Sequence, residues 1–166
     1  MIFKKNIRRY LKYFLIIITL LLIRNYVLIS ALVVGKSMEP NYIDGNIMIV
    51  EQVSQYVKKH NRFDIVVFKY DNSTYIIKRI IGLPGEFVKY KNNMLYINNT
   101  YVEEVFDVSG YTEDFEVIVP IDKYFVLGDN RTKSRDSRIF GSIQKKDIIG
   151  KPLIVIWPIK TFVNAN

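Results

Sequence analysis

Three stretches of the sequence carry residue types that could perform nucleophilic chemistry. Gly35 to Pro40 (GKSMEP) holds a serine, Tyr75 to Gly85 (YIIKRIIGLPG) holds Lys78 and Arg79, and Val126 to Ile143 (VLGDNRTKSRDSRIFGSI) interleaves acids, arginines and hydroxyls. A serine hydroxyl is a weak nucleophile near neutral pH and needs a positioned base. The chain has no cysteine and a single histidine. That excludes a thiol nucleophile, a disulfide scaffold and the usual structural zinc sites, and it narrows the choice of base to His60 or a lysine.

His60 lies in Lys58-Lys59-His60-Asn61-Arg62, a polar, basic stretch that reads as a solvated loop and gives the imidazole little to work with. Lys78 is the stronger candidate. If Tyr75 to Ile81 is extended, alternation sends Ile76, Lys78 and Ile80 to one face and Ile77, Arg79 and Ile81 to the other. A lysine between two isoleucines on its own face is open to desolvation, which lowers its pKa. The same pattern also suits a lysine whose stem covers an apolar face while its head reaches water. Ser37, taken alone, better suits a turn capped before Pro40.

These residues need a scaffold, and the rest of the chain describes one. Phe14 to Ile23 is apolar except for Thr19, and after Arg24 and Asn25 the apolar character resumes from Tyr26 to Val34. A helix from about Tyr10 to Ile29 would be roughly 30 Å long, the thickness of a hydrocarbon core, with Arg24 near its outer end, where the side chain can snorkel. Lys4, Lys5, Arg8, Arg9 and Lys12 supply five of the net +8 charges, with no acid among the first twelve residues. The excess therefore orients a membrane segment instead of forming a nucleic-acid groove, and it places residues 1–9 in the cytoplasm. The bulky residues Val27 to Ile29 before Ser30 and Ala31 do not make a signal-peptide cleavage site, so the segment reads as an uncleaved anchor.

Beyond the anchor, residues 30–166 read as one extracytoplasmic domain of short strands. Ile47 to Val50, Ile65 to Tyr70, Tyr75 to Ile81, Phe87 to Tyr90, Met94 to Ile97, Phe115 to Val119, Tyr124 to Leu127 and Leu153 to Trp157 are rich in Ile, Val, Tyr and Phe. Turn residues such as Asp44-Gly45, Asp71-Asn72-Ser73, Asn92-Asn93 and Asn98-Asn99 separate them. The expected fold is mainly β: a transmembrane helix over residues 10–29 followed by an antiparallel sandwich or barrel-like domain. Ser54 to His60 is the one other stretch with helical character.

Taken together, and in this order, the three blocks closely resemble type I signal peptidases, the membrane-bound serine/lysine proteases that remove signal peptides. The resemblance implies that Ser37 of Ser-Met-Glu-Pro is the nucleophile and that Lys78, followed by Arg79 and by Gly82-Leu83-Pro84-Gly85, is the general base. It implies that Ser134 hydrogen-bonds and orients Lys78, that Asp136 pairs with both Arg138 and Arg79, and that Asp129 helps hold the loop. Asn41 stands where the family usually has threonine. The substrate would lie between two strands, about Ile29 to Gly35 before the serine and Tyr75 to Lys78 before the lysine, with Val34, Gly35, Met38, Ile76 and Ile77 forming shallow apolar pockets for small residues. The Ser37 N–H would serve the oxyanion, and Gly35 lacks the hydroxyl that some members add there.

The implied partners are preprotein signal peptides and membrane lipid, without nucleic acid and without any metal or organic cofactor. Two other classes share parts of the pattern. A self-cleaving repressor of the LexA type pairs serine with lysine but carries a helix-turn-helix domain where this chain has its apolar segment. A non-catalytic membrane-anchored β domain would need the fold without Ser37, Lys78 and Ser134 together.

Overall fold

The computed structural model describes residues 2–56, 59–71 and 74–157. The tail from residue 158 on, the Asn72-Ser73 part of the expected turn and the middle of the expected Ser54 to His60 helix lie outside the described residues. What is seen of that last stretch is a short 3-10 turn, Val53–Tyr56.

The first element, α1 (Ile2–Tyr26), is a helix that begins earlier and ends earlier than the expected Tyr10 to Ile29. Leu28 and Ile29 belong instead to β1 (Leu28–Leu32). This strand is formed by pairing and not by its own pattern, for Leu28 to Leu32 lies antiparallel against Glu51 to Ile47. Among the described residues no helix is long and apolar enough to cross a membrane. The side chains from Phe14 to Ile18, Leu20 and Leu21 are nevertheless exposed.

The remainder is mainly β, and every paired strand is antiparallel. The strands are β2 (Ile47–Glu51), β3 (Ile65–Lys69), β4 (Tyr75–Gly82), β5 (Phe87–Lys91), β6 (Met94–Ile97), β7 (Thr100–Val102), β8 (Phe115–Ile118), β9 (Lys123–Leu127), β10 (Ile143–Gln144) and β11 (Ile148–Trp157). A one-turn helix, α2 (Ser137–Phe140), precedes β10. One sheet has the order β1-β2-β11-β3-β4-β9-β10, the other β7-β6-β5-β8. Strands β7 and β10 have no counterpart among the expected runs, β1 overlaps the strand that the resemblance implies over about Ile29 to Gly35, and β11 starts five residues before the expected Leu153.

Local chemistry accounts for the smaller sheet. Asn92 and Asn93 both have positive φ (51° and 62°), as do Asn98 and Asn99 (49° and 66°). Asparagine tolerates this left-handed region, and two such residues in succession match the twist of a tight hairpin. The registers Lys91↔Met94 and Ile97↔Thr100 follow. This sheet packs on the end of the larger one through Val88, Tyr90, Leu95, Phe125 and Leu127. At the junction a Cβ on Gly82 would come to 2.5 Å from Val88 Cγ2 and 2.8 Å from Val119 Cγ2, so only glycine lets β4 run that close beneath the second sheet. A second cluster, including Val66, Phe68, Ile80 and Val126, fills the space around β3, β4 and β9. Lys78 therefore projects from a strand held on both sides by apolar packing.

Candidate active site

Ser37 lies on the turn that follows β1. The turn begins at Gly35, where φ is 88° and the N–H donates to Asp44 Oδ1 (2.8 Å). It closes with Tyr42 N–H donating to Met38 O (2.9 Å). The Met38 side chain is fully buried and pins the turn to the domain. Met38 is thus core and not a pocket wall as expected: the turn directs its side chain inward while Ser37 faces the cleft. The Ser37 carbonyl accepts the Asn130 N–H at 3.0 Å, which ties the serine turn to the loop after β9.

Lys78 reaches this turn from β4. Its Nζ donates to Ser37 Oγ at 2.8 Å and to the Ile77 carbonyl at 2.9 Å, and the residue is 3% exposed. Burial pulls its pKa down to about 8, against the opposing pull of the Asp136 and Asp129 carboxylates. The environment thus makes the neutral amine accessible near physiological pH.

The two carboxylates belong to separate braces. Arg79 forms a two-pronged pair with Asp129, Nε to Oδ1 at 2.8 Å and Nη2 to Oδ2 at 2.6 Å, and both residues are buried. The guanidinium also donates to Phe63 O (3.0 Å) and lies over the Phe106 ring at 3.9 Å. Asn41 Nδ2 adds a bond to Asp129 Oδ2 (2.9 Å) and another to Asp107 O (2.8 Å). The residue that stands in place of threonine therefore links the serine turn to the Arg79–Asp129 pair. Asp136, also fully buried, holds Arg138 (Nε to Oδ1, 2.8 Å; Nη2 to Oδ2, 2.8 Å) and accepts the Gly128 N–H (3.1 Å). The expected Arg79–Asp136 pairing is corrected accordingly: Arg79 pairs with Asp129, and Asp136 with Arg138 and the Gly128 backbone.

Ser134 also differs from expectation. Its hydroxyl is buried and has no hydrogen-bond partner among the described residues, because the Lys78 amine is directed to Ser37 and to Ile77 O. It is nonetheless packed into the same corner, since a Cβ added to Gly128 would overlap both Ser134 Oγ and the Ser37 carbonyl. His60 is not the solvated residue its polar neighbours suggest. It is 4% exposed, edge-on to Tyr124 with ring centroids 5.5 Å apart. It borders a separate hollow with Leu83 and Tyr124, and burial lowers its pKa.

Sequence reasoning assigned no role to Arg131, yet it organises the loop from beneath. It donates to Gly128 O (3.0 Å), Tyr90 OH (2.9 Å) and Thr112 Oγ1 (3.0 Å) and pairs with Glu104. The Gly128-Asp129-Asn130-Arg131 run signalled a fixed loop, but nothing near Tyr90 or Glu104 in the sequence marked them as its support.

A cleft of about 530 Å³ opens over the pair, bordered by Val34, Ser37, Ile76, Ile77, Lys78 and Arg135 among others. Gly35, expected here, is not among its lining residues. Both walls are strand edges. β1 pairs on one side alone, with β2. β4 pairs with β3 from Tyr75 to Arg79 but meets β9 only from Arg79 onward, so its Tyr75 to Lys78 segment also has an unpaired side.

The model of the family described as "Signal peptidase, peptidase S26" matches residues 7–157. Signal peptidase I V of Bacillus subtilis (strain 168) is 44% identical over 77% of this chain and 85% of its own length. Signal peptidase I S of the same strain is 38% identical over 98% of this chain and 96% of its own. The crystal structure of a signal peptidase I from Enterococcus faecalis V583 superposes with a TM-score of 0.51 at 39% identity, over 57% of this chain and 97% of that one. With a family match spanning nearly the whole chain and relatives of this identity along almost their full lengths, the chain belongs to the signal peptidase family, peptidase S26.

Proposed function

We propose that this chain is an endopeptidase that removes signal peptides from exported preproteins, with Ser37 as nucleophile and Lys78 as general base. The observation that carries the reading is the 2.8 Å contact between a buried lysine amine and a serine hydroxyl on the floor of an open cleft. In the neutral form the amine accepts the hydroxyl proton while Oγ attacks the scissile carbonyl carbon. The resulting ammonium returns that proton to the departing amine nitrogen, leaving an acyl-enzyme. Water then attacks the ester carbonyl, Lys78 takes the water proton, and Ser37 leaves with a proton restored. The Ser37 N–H, which has no backbone acceptor among the described residues, is the proposed first donor to the oxyanion.

The two free strand edges suit an extended peptide, which would pair by its main chain and present alternate side chains to the apolar surface of Val34, Ile76 and Ile77. Surfaces this close to the nucleophile favour small side chains at the first and third positions before the cut. Incubation with a preprotein in detergent or lipid is expected to release the mature protein, and Ser37→Ala to release none. Equal cleavage by the variant would reject the assignment.

We also read α1 as the membrane anchor. The apolar side chains of Phe14 to Ile18, Leu20 and Leu21 are exposed, and the basic residues before them favour a cytoplasmic N-terminus. Protease added to intact cells is expected to digest the β domain and spare residues 1–9. A protected C-terminal domain would overturn that topology.

A further inference from the structure

The cleft is basic at its distal end as well as at its floor. Arg135 lines it together with Thr74 and Tyr75, and the lining residues include two cations, Lys78 and Arg135, but no carboxylate. Arg135 is exposed, and its guanidinium lies 5.9 Å from the centroid of the Tyr70 ring. Tyr70 is the residue that leaves β3, its N–H donating to Thr74 O at 2.9 Å, and Tyr70 in turn leans on Phe140 with centroids 5.3 Å apart. The charge is therefore held over the start of β4, where Lys69 pairs with Tyr75, three residues ahead of Lys78.

Two carboxylates flank this region in the sequence. Asp71, three residues before Thr74, accepts the Thr74 N–H at 2.7 Å and its hydroxyl at 2.9 Å. Asp136, adjacent in sequence, is buried against Arg138. Of the charged residues at this end, Lys69, Asp71, Arg135 and Asp136, Arg135 is the one among the described residues that lines the cleft.

An extended peptide advances about 3.3 Å per residue. With its cut bond at Ser37 and its preceding residues along Ile77 and Ile76, it brings the side chains about four to six positions before the cut alongside Tyr75 and Arg135. We propose that Arg135 is a specificity-determining residue that favours preproteins carrying an acidic side chain in that segment and disfavours those carrying lysine or arginine there. This rests on the signal peptidase reading given above. The interaction is solvent-exposed, so it acts by ordinary charge pairing: it selects among substrates without altering the chemical step, and salt screens it.

The test uses the full chain in detergent and three preproteins that differ only by glutamate, glutamine or lysine five residues before the cut. The wild type is expected to cleave the glutamate substrate with kcat/KM about threefold above the lysine substrate at low salt. The difference should lie in KM and shrink at high salt. Arg135→Glu should invert the order, and Arg135→Lys should keep it. An order unchanged in Arg135→Glu, or no order in the wild type, overturns the role of Arg135 while leaving Ser37-dependent cleavage in place. Absence of Ser37-dependent cleavage of all three substrates overturns the peptidase reading and this inference with it.

Discussion

Lys78→Met is expected to abolish preprotein cleavage and, at pH 7, to make the β domain more stable. Removing the amine leaves Ser37 without a base, so the acylation step loses its proton acceptor. The stability effect follows from the lysine's pKa, which is about 8 in the folded protein against 10.5 for the free side chain. That difference corresponds to about 3 kcal/mol of preference for the neutral form. Below pH 8 both folded and unfolded chains carry the charge, and the folded state bears its full desolvation cost. Between pH 8 and 10.5 the folded lysine is neutral while the unfolded one is still charged, so the cost falls; above 10.5 it is gone.

Methionine is similar in length and never charged. It gives up the bonds to Ser37 Oγ and Ile77 O, each worth about 1 kcal/mol. A net gain of about 1 kcal/mol should therefore be seen in urea melts at pH 6 to 7, and it should turn into a net loss as pH rises through 8 to 10.5, where the desolvation cost fades while the two bonds are still missing. Wild-type cleavage should follow the same ionisation, low on the acidic side and rising through about pH 8. Lys78→Arg should be inactive throughout, because a guanidinium keeps its charge. If Lys78→Met cut preproteins normally, or were destabilised equally at every pH, the buried amine would not be the base.

How much of this was legible in the sequence depends on whether a feature is set locally or by pairing. The Asn92-Asn93 hairpin and the turn that carries Ser37 could be read directly, because glycine, proline and asparagine constrain the backbone by themselves. Lys78 could be read as open to desolvation from alternation, and its burial on β4 agrees. The partner of Arg79 could not. The register of β4 against β9 places Arg79 opposite Leu127, two residues before Asp129, and so delivers that carboxylate instead of Asp136. Nothing in the spacing of Asp and Arg residues contains that register.

Burial set by long-range packing was equally hidden. His60 has polar neighbours on both sides, yet its backbone N–H donates to Tyr124 OH at 3.1 Å, a contact across 64 positions, and the ring follows it inward. β1 could be expected only from the family resemblance, as a strand over about Ile29 to Gly35, because Leu28 to Leu32 lacks alternation and continues the apolar character of α1; it is held as a strand by pairing with β2. Met38 is inward because the turn closes on its own carbonyl, which no periodicity describes. The Arg131 support relies on Tyr90 and Glu104, which lie on a different sheet and its following loop.

Asp129→Ala is expected to cost about 3 to 5 kcal/mol, the range for stranding one partner of a buried ion pair. Arg79 would lose both prongs of its carboxylate, keeping only Phe63 O and the Phe106 face, and Asn41 would lose one of its two acceptors. The consequence for activity follows from what these residues connect. Arg79 is the neighbour of Lys78 on β4, Asn41 belongs to the turn bearing Ser37, and Asn130, next to Asp129, donates to the Ser37 carbonyl. Asp129 thus fixes the strand of Lys78, the proposed base, to the turn of Ser37, the proposed nucleophile, and its loss should lower kcat as well as stability. Urea melts of Arg79→Ala, Asp129→Ala, Asp136→Ala and the corresponding doubles separate the two braces. Arg79 and Asp129 should show a coupling of 0.5 to about 3 kcal/mol, whereas Arg79 and Asp136, which share no bond, should add to within about 0.5 kcal/mol. A larger coupling of Arg79 to Asp136 than to Asp129 would mean that the two braces act as one network in solution, and the pairing described for the site would have to be redrawn.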